Sequence, residues 1–333
     1  MNYIGSKNKL AGFIRSNVDE VAGGDLSQMV FCDLFAGTGI VGRSFKTSVK
    51  SVIANDVEFY SYALLKNYIG NNRELQFAEC LEELNCLPGK KGFIFENYSK
   101  GGKEGRLYFS ASNGMKIDAA RIKLEEWRET SVIEEGLYYF LLASLIESAD
   151  KVANTASVYG AFLKKLKPSA KKEMQILPAH FEINGNEHQV YREDANVLIE
   201  RIEGDILYLD PPYNARQYGA NYHLLNTIAK YDTFVPRGKT GLREYYKSSY
   251  CRTGEVKDSF ENLIKSANFN YIFLSYNNEG LMPAEEIQKI MQQYGKYDLA
   301  TKDYQRFKAD KTENRNHTAT ATTEYLHILE KNQ

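Results

Sequence analysis

The stretch MVFCDLFAGTGIVGRSF, residues 29–45, reads as an apolar strand from Met29 to Asp33, a glycine turn, and a helix from about Ile40. SVIAND follows as a second strand ending in Asn55 and Asp56, and VEFYSYALLKNYI carries apolar residues at helical spacing. Two strand–helix units in succession predict a parallel sheet covered by helices. The same rhythm resumes after Tyr191, with a helix in DANVLIERI, the strand DILYLD, a helix through NYHLLNTIA, the strand NYIFLSY and the helix AEEIQKIMQQY. YDLATKDYQRF and TTEYLHILE alternate like paired antiparallel strands. The expected fold class is therefore α/β, doubly wound, with a mostly parallel sheet ending in an antiparallel hairpin.

From about Gln76 the pattern changes. A Gly/Lys-rich stretch leads to LYFSASNGMKI, which predicts a hairpin around Asn113 and Gly114. Helical segments follow in IDAARIKLEEW, VIEEGLYYFLLASLIESADKV and VYGAFLKKL, and ILPAHFEINGNEHQVY gives a second hairpin signal at Asn184 and Gly185. Residues 76–191 thus read as a mainly helical insertion into a domain formed by 1–75 and 192–333, with 214–257 a basic, aromatic segment of that domain.

The 333 residues are 43% hydrophobic, enough for a substantial core, and the net charge is -1. That even total hides local excess. Pro88 to Lys123 holds eight Lys/Arg against three Asp/Glu, Asn214 to Lys257 the same, and Lys164 to Lys172 five lysines and no acid. Basic patches on a neutral body suit a phosphate backbone, although charge runs are more often solvated faces. The four cysteines show no CxxC spacing and the five histidines are scattered, so neither a zinc site nor a disulfide framework is expected. With no signal pattern and no apolar run near the ~20 residues of a membrane span, a cytoplasmic protein is expected.

Gly37, Gly39 and Gly42 match GxGxxG, a loop that lets backbone approach a ligand at a helix start. Alone the match is weak. Asp33 just before the loop would repel a pyrophosphate and attract an ammonium, which disfavours a nicotinamide dinucleotide and favours an adenosyl-amino acid. Asp56 is placed to accept hydrogen bonds from ribose hydroxyls, or to cap a helix. Asp194, in YREDANVLI, is placed to accept from an adenine amino group, or equally to cap the helix after it. ILYLDPPYNARQYG, residues 206–219, ends a buried strand with Asp210, Pro211, Pro212 and Tyr213. The prolines stop the ladder. In a doubly wound sheet, acids at the carboxyl ends of strands converge on one crevice. With no histidine partner and no metal spacing they suit a cationic cofactor and a neutral amine rather than hydrolysis.

At these residues the chain resembles the S-adenosylmethionine-dependent, adenine-specific (exocyclic N6) DNA methyltransferases with the Dam-like motif order. NYIGSKNKL is similar to the family's amino-terminal motif, DLFAGTG to its glycine loop, ANDVE to its ribose-binding acid, EDANVL to its adenine-contacting acid and LDPPY to its catalytic motif. The resemblance implies a Rossmann-like methyltransferase sheet with an inserted DNA-recognition region, S-adenosylmethionine as cofactor and no metal. It implies that Tyr3, Gly5, Ser6 and Lys7 line the methionine end of the cofactor, with Lys7 near its carboxylate. Asp33 would then face the methionine ammonium, Phe35 pack near the sulfonium, Gly37 and Gly39 shape the loop, Asp56 hold the ribose and Asp194 the adenine.

Asp210 and Pro211 would accept hydrogen bonds from the target amino group, Pro212 would hold the geometry, and Tyr213 would stack on a base flipped from duplex DNA. Arg216, Tyr218, Arg237, Lys239, Arg243, Lys247 and Arg252 interleave cations with aromatics, as expected of DNA contacts. The partners implied are double-stranded DNA and, in a restriction–modification pair, a cognate endonuclease in a prokaryotic cytoplasm. The rivals are a cytosine N4 methyltransferase, which more often carries serine at position 210, and a non-catalytic DNA-binding subunit.

Overall fold

The computed structural model describes residues 7–305 and 321–332. The described residues divide into two compact units: one holds residues 58–183 and 218–246, the other 7–57, 184–217, 247–305 and 321–332. These boundaries differ from the sequence-based ones at 76 and 192. The helix Phe59–Leu65 gathers with the helical unit because its buried Tyr60, Ala63 and Leu64 belong to that unit's core, and so do Leu224, Leu225 and Ile228 of the helix His223–Lys230.

Among the described residues, the sheet-containing unit has seven strands: β1 (Val30–Asp33), β2 (Ser51–Asn55), β3 (Gln189–Tyr191), β4 (Glu203–Leu209), β5 (Asn268–Asn277), β6 (Gly295–Gln305) and β7 (Ala321–Lys331). Their spatial order is β3-β2-β1-β4-β5-β7-β6. The first five are parallel, with Phe31 opposite both Val52 and Ile206, and β7 runs antiparallel between β5 and β6. The expected fold class holds, antiparallel end included.

Alternation along the strands divides the core. Cys32, Ile53, Leu207, Ile272 and Leu274 pack against the helices Val256–Ser266 and Ala284–Met291 through Phe260, Leu263, Ile287 and Ile290. Phe31, one residue out of step and so on the opposite face, stacks on Phe45 of the helix Ile40–Phe45 at 4.1 Å. Helices therefore cover both faces. Strand order reverses between β1 and β4, which puts a crevice over their carboxyl ends.

The helical unit is built around Glu135–Val152, a helix buried on nearly every side and correspondingly apolar. Beside it, Ala111–Glu129 carries two fully buried charges that finish other helices. Asp118 accepts the N–H groups of Gly92, Ile94 and Phe95 at the start of Phe93–Tyr98. Arg121 donates to the Ile228 and Ala229 carbonyls near the end of His223–Lys230.

Three local expectations are corrected. Asn113 and Gly114 lie inside Ala111–Glu129: Ser110 caps that helix by accepting the Asn113 N–H, and the Asn113 amide is taken up by the Lys172 carbonyl and the Met174 N–H. Asn184 accepts the Asn186 N–H and Gly185 takes φ 72°, but they form no hairpin, since the following strand β3 pairs in parallel with β2. VYGAFLKKL is not helical, because Asn154 holds the segment open by bonding the Leu163 carbonyl and the Lys167 N–H.

Candidate active site

Four acids stand at successive strand ends of the sheet-containing unit. Asp33 closes β1, Asp56 follows β2, Asp194 follows β3 and Asp210 follows β4. Asp33 and Asp210 stand at the ends of directly neighbouring strands, since β1 and β4 pair in parallel.

Asp33 is fully buried. Its Oδ2 accepts the Gly42 N–H at 2.8 Å, while Oδ1 is buried with no hydrogen-bond partner. Burial pushes the carboxyl up to about 7, the Gly42 bond opposing and the charge of Asp210 adding to the rise. A buried acceptor left open in this way fits an ammonium group. A Cβ at Gly42 would come within 3.3 Å of the Asp33 side chain, so a larger residue there would press on this carboxylate.

The loop between them is bent by Gly37 and Gly39, at φ 55° and 79°. Gly37 N–H donates to Asp56 Oδ2 at 2.9 Å, which aims that carboxylate from the second strand back at the loop of the first. Asp194 is a helix cap: its Oδ1 accepts the Asn196 and Val197 N–H groups at 2.9 and 3.2 Å. Phe35 is half-buried, its ring edge-on to Tyr250 at 5.1 Å, and Tyr250 in turn donates to Asn196 beside Asp194.

One side chain that the sequence reading passed over ties these loops together. Asn55, buried at the end of β2, donates to the Leu34 and Glu193 carbonyls and accepts the Glu193 N–H. Phe35, Asp56 and Asp194 are each next to one of these anchor points or to Asn55 itself. The available signal was a polar residue at the buried end of an apolar strand, which must find partners.

Asp210 is not an isolated acid. Lys7 Nζ lies 3.0 Å from its Oδ1, and 5.9 Å from the centre of the Tyr213 ring. Lys7 was expected beside a cofactor carboxylate; the structure pairs it with Asp210. Burial works against the ammonium, but Asp210 and Glu324 outweigh it and hold Lys7 well above its ordinary range. Burial raises Asp210 despite the opposing charge and hydrogen bond of Lys7. Glu324 of β7, absent from the sequence reading, is also raised by burial, with Lys7 opposing and Asp210 adding. Pro211 is buried, and the Tyr213 carbonyl accepts the Leu281 N–H at 2.9 Å while its ring meets Tyr276 edge-on at 6.3 Å. The turn is therefore anchored on both sides of Pro212.

Of the expected DNA contacts, Arg216, Lys247 and Arg252 are exposed in the sheet-containing unit, and Arg237 and Lys239 in the helical one. Tyr218 is half-buried, stacked on Tyr222. Arg243 is different: it is buried and makes two bonds to Asp232, of 2.9 and 2.7 Å, so its guanidinium serves the fold rather than the surface. Tyr3 and Ser6 lie outside the described residues.

A doubly wound sheet with an antiparallel seventh strand, a glycine loop and strand-end acids defines the class of α/β methyltransferases. The sequence profile of the D12 class N6 adenine-specific DNA methyltransferases matches residues 3–320, and the chain belongs to that family. It is 63% identical over 332 residues to Type II methyltransferase M.NlaIII of Neisseria lactamica, covering 99% of each chain. It is 39% identical over 317 residues to Type II methyltransferase M.CviAII of Paramecium bursaria Chlorella virus 1, covering 93% of each. Type II methyltransferase M.FokI of Planomicrobium okeanokoites is 39% identical over 347 residues, which is 99% of this chain and 53% of that protein. The chain is accordingly an adenine-specific DNA methyltransferase by family. Among the described residues, no helix is long and apolar enough to cross a membrane.

Proposed function

We propose that the chain transfers a methyl group from S-adenosylmethionine directly to the N6 amino group of adenine in a specific duplex sequence, with the target base flipped out of the helix. The observation that carries this reading is the unpartnered, buried Oδ1 of Asp33 on the strand adjacent to Asp210: an ammonium acceptor beside an amine acceptor. Bound S-adenosylmethionine supplies an electrophilic methyl group on a sulfonium.

The chain's own residues do the rest. Asp33 holds the methionine ammonium, Phe35 offers a ring to the sulfonium, Asp56 takes the ribose hydroxyls and Asp194 the adenine. Asp194 can do so while capping its helix, since a carboxylate accepts about four hydrogen bonds. The adenine amino group is a weak nucleophile because its lone pair is delocalised into the ring. Hydrogen bonds from that group to Asp210 and the Pro211 carbonyl favour a pyramidal nitrogen with its lone pair aimed outward, and alignment of this kind is worth several kcal/mol of barrier. Lys7 orients the Asp210 carboxylate, and the raised affinity of Asp210 for protons lets it take the proton that the methylated amine sheds. Tyr213 stacks on the flipped base. Arg216, Lys247 and Arg252 contact phosphates.

The family favours adenine over the cytosine alternative. As with the Type II relatives, we assign the chain to a restriction–modification pair whose endonuclease reads the same sequence, acting on DNA in a prokaryotic cytoplasm. Incubating unmodified DNA with the purified protein and S-adenosylmethionine, then sequencing modified bases, tests this: N6-methyladenine at one recurring sequence is expected. N4-methylcytosine, or no modification, overturns it.

A further inference from the structure

Residues 231–246 leave the helix His223–Lys230 through Tyr231 at φ 49° and return as a short prong that is held with unusual completeness. At its base Asp232 grips Arg243 with two hydrogen bonds, and the guanidinium lies 4.8 Å from the ring centre of Phe234, which packs on Phe93. At its neck Arg237 and Leu242 exchange backbone hydrogen bonds of 2.8 Å in both directions. At its tip Gly238 and Gly241 take φ 66° and 72°; Arg106 donates to the Gly238 and Lys239 carbonyls, and Tyr98 Oη to the Gly241 carbonyl at 2.6 Å.

What this frame presents is solvent-facing. Val235 is 83% exposed, the most exposed large apolar side chain among the described residues, and Arg237 is 74% exposed. Lys239 is exposed beside them. Arg237 meets Glu244 at 3.3 Å, but both are open to water, so the pair is weak and gives way to a stronger anion.

We propose that this prong is a preformed contact element for duplex DNA. Val235 and Pro236 press on sugars and base edges in a groove, Arg237 and Lys239 hold the flanking phosphates, and Arg243 belongs to the frame. An exposed apolar side chain beside two cations matches a groove walled by phosphates, and the clamps mean that little conformational entropy remains to be lost on binding. The inference rests on the DNA-methylating reading above.

The test is an anisotropy titration, over a salt series, of a labelled duplex that the wild-type protein methylates. Arg237→Ala and Lys239→Ala are each expected to reduce the log K against log salt slope by about 1. Val235→Ser is expected to weaken binding about five-fold with the slope unchanged, as for partial burial of one valine. These positions are exposed, so folding is retained. Asp232→Asn, which releases Arg243 and removes a negative charge, is expected to weaken binding; tighter binding would make Arg243 a phosphate contact and overturn its place in the frame. If the wild type methylates no DNA, the underlying reading fails. If it does, and Val235→Ser, Arg237→Ala and Lys239→Ala all match wild type in affinity and slope, the prong alone is overturned.

Discussion

Replacing Asp210 by alanine is expected to reduce methyl transfer by at least about a hundred-fold while leaving S-adenosylmethionine affinity within a few-fold, because this carboxylate orients the amine and not the cofactor. Near wild-type turnover in that variant would remove Asp210 from the chemistry. Asp33 answers to pH instead. Its carboxyl stands at about 7 in the folded chain, against roughly 4 when unfolded. Its contribution to folding stability is therefore full below about pH 4 and is lost as pH rises through about 7. Ligand binding runs the other way, since an ammonium pairs with the ionised carboxylate. Affinity for S-adenosylmethionine should rise between about pH 6 and 8, and binding near pH 6 should release a proton, visible by calorimetry in buffers of different ionisation enthalpy. Asp33→Asn should flatten both effects; a flat wild-type profile would count against Asp33 as the ammonium partner.

At the scale of elements, single buried polar side chains fix whole segments. Asn55→Ala leaves the Leu34 and Glu193 carbonyls and the Glu193 N–H without that partner. A loss of about 2–3 kcal/mol in urea melts is expected, together with weaker cofactor binding, as the loops carrying Phe35, Asp56 and Asp194 separate. Asp118→Ala uncovers three N–H groups at the start of Phe93–Tyr98, and a comparable loss is expected there without any change in cofactor affinity. These cases also mark where the sequence stopped being legible. The strands were readable because apolar runs ending in Asp33, Asn55 and Asp210 announce themselves locally, and the acids at strand ends followed from the fold class. The Asn113–Gly114 pair carries an equally strong local turn signal, yet Asn113 is spent on Lys172 and Met174, some 60 residues away in sequence. Local pattern cannot see such a partner. The same holds for Lys7, whose ion-pair partner Asp210 lies beyond the whole helical insertion in sequence, and for Arg243, which looks like any surface cation until Asp232 and Phe234 are placed around it.

For the whole molecule, the net charge of -1 predicts little attraction to a polyanion, but exposed Arg216, Arg237, Lys239, Lys247 and Arg252 are gathered in one stretch of sequence. If three or more of them meet phosphates, log K should fall with log salt at a slope of about -3 or steeper. A slope near zero in binding titrations would remove this segment from the DNA interface. The recognition sequence itself was not legible, since which donor faces which base depends on groove geometry and not on residue type.

The strand β7 is the seventh in chain order yet sits inside the sheet, between β5 and β6. During synthesis β5 therefore waits with one side open while about fifty further residues emerge, a few seconds at roughly 5–20 residues per second. Over that interval its backbone is an unprotected template for other extended chains. A ribosome that stalls or stops before residue 321 releases a polypeptide that already carries Asp33, Asp56, Asp194 and Asp210 but has an exposed sheet margin, so interrupted translation should feed aggregation and proteolysis rather than yield a half-working enzyme loose among the cell's DNA.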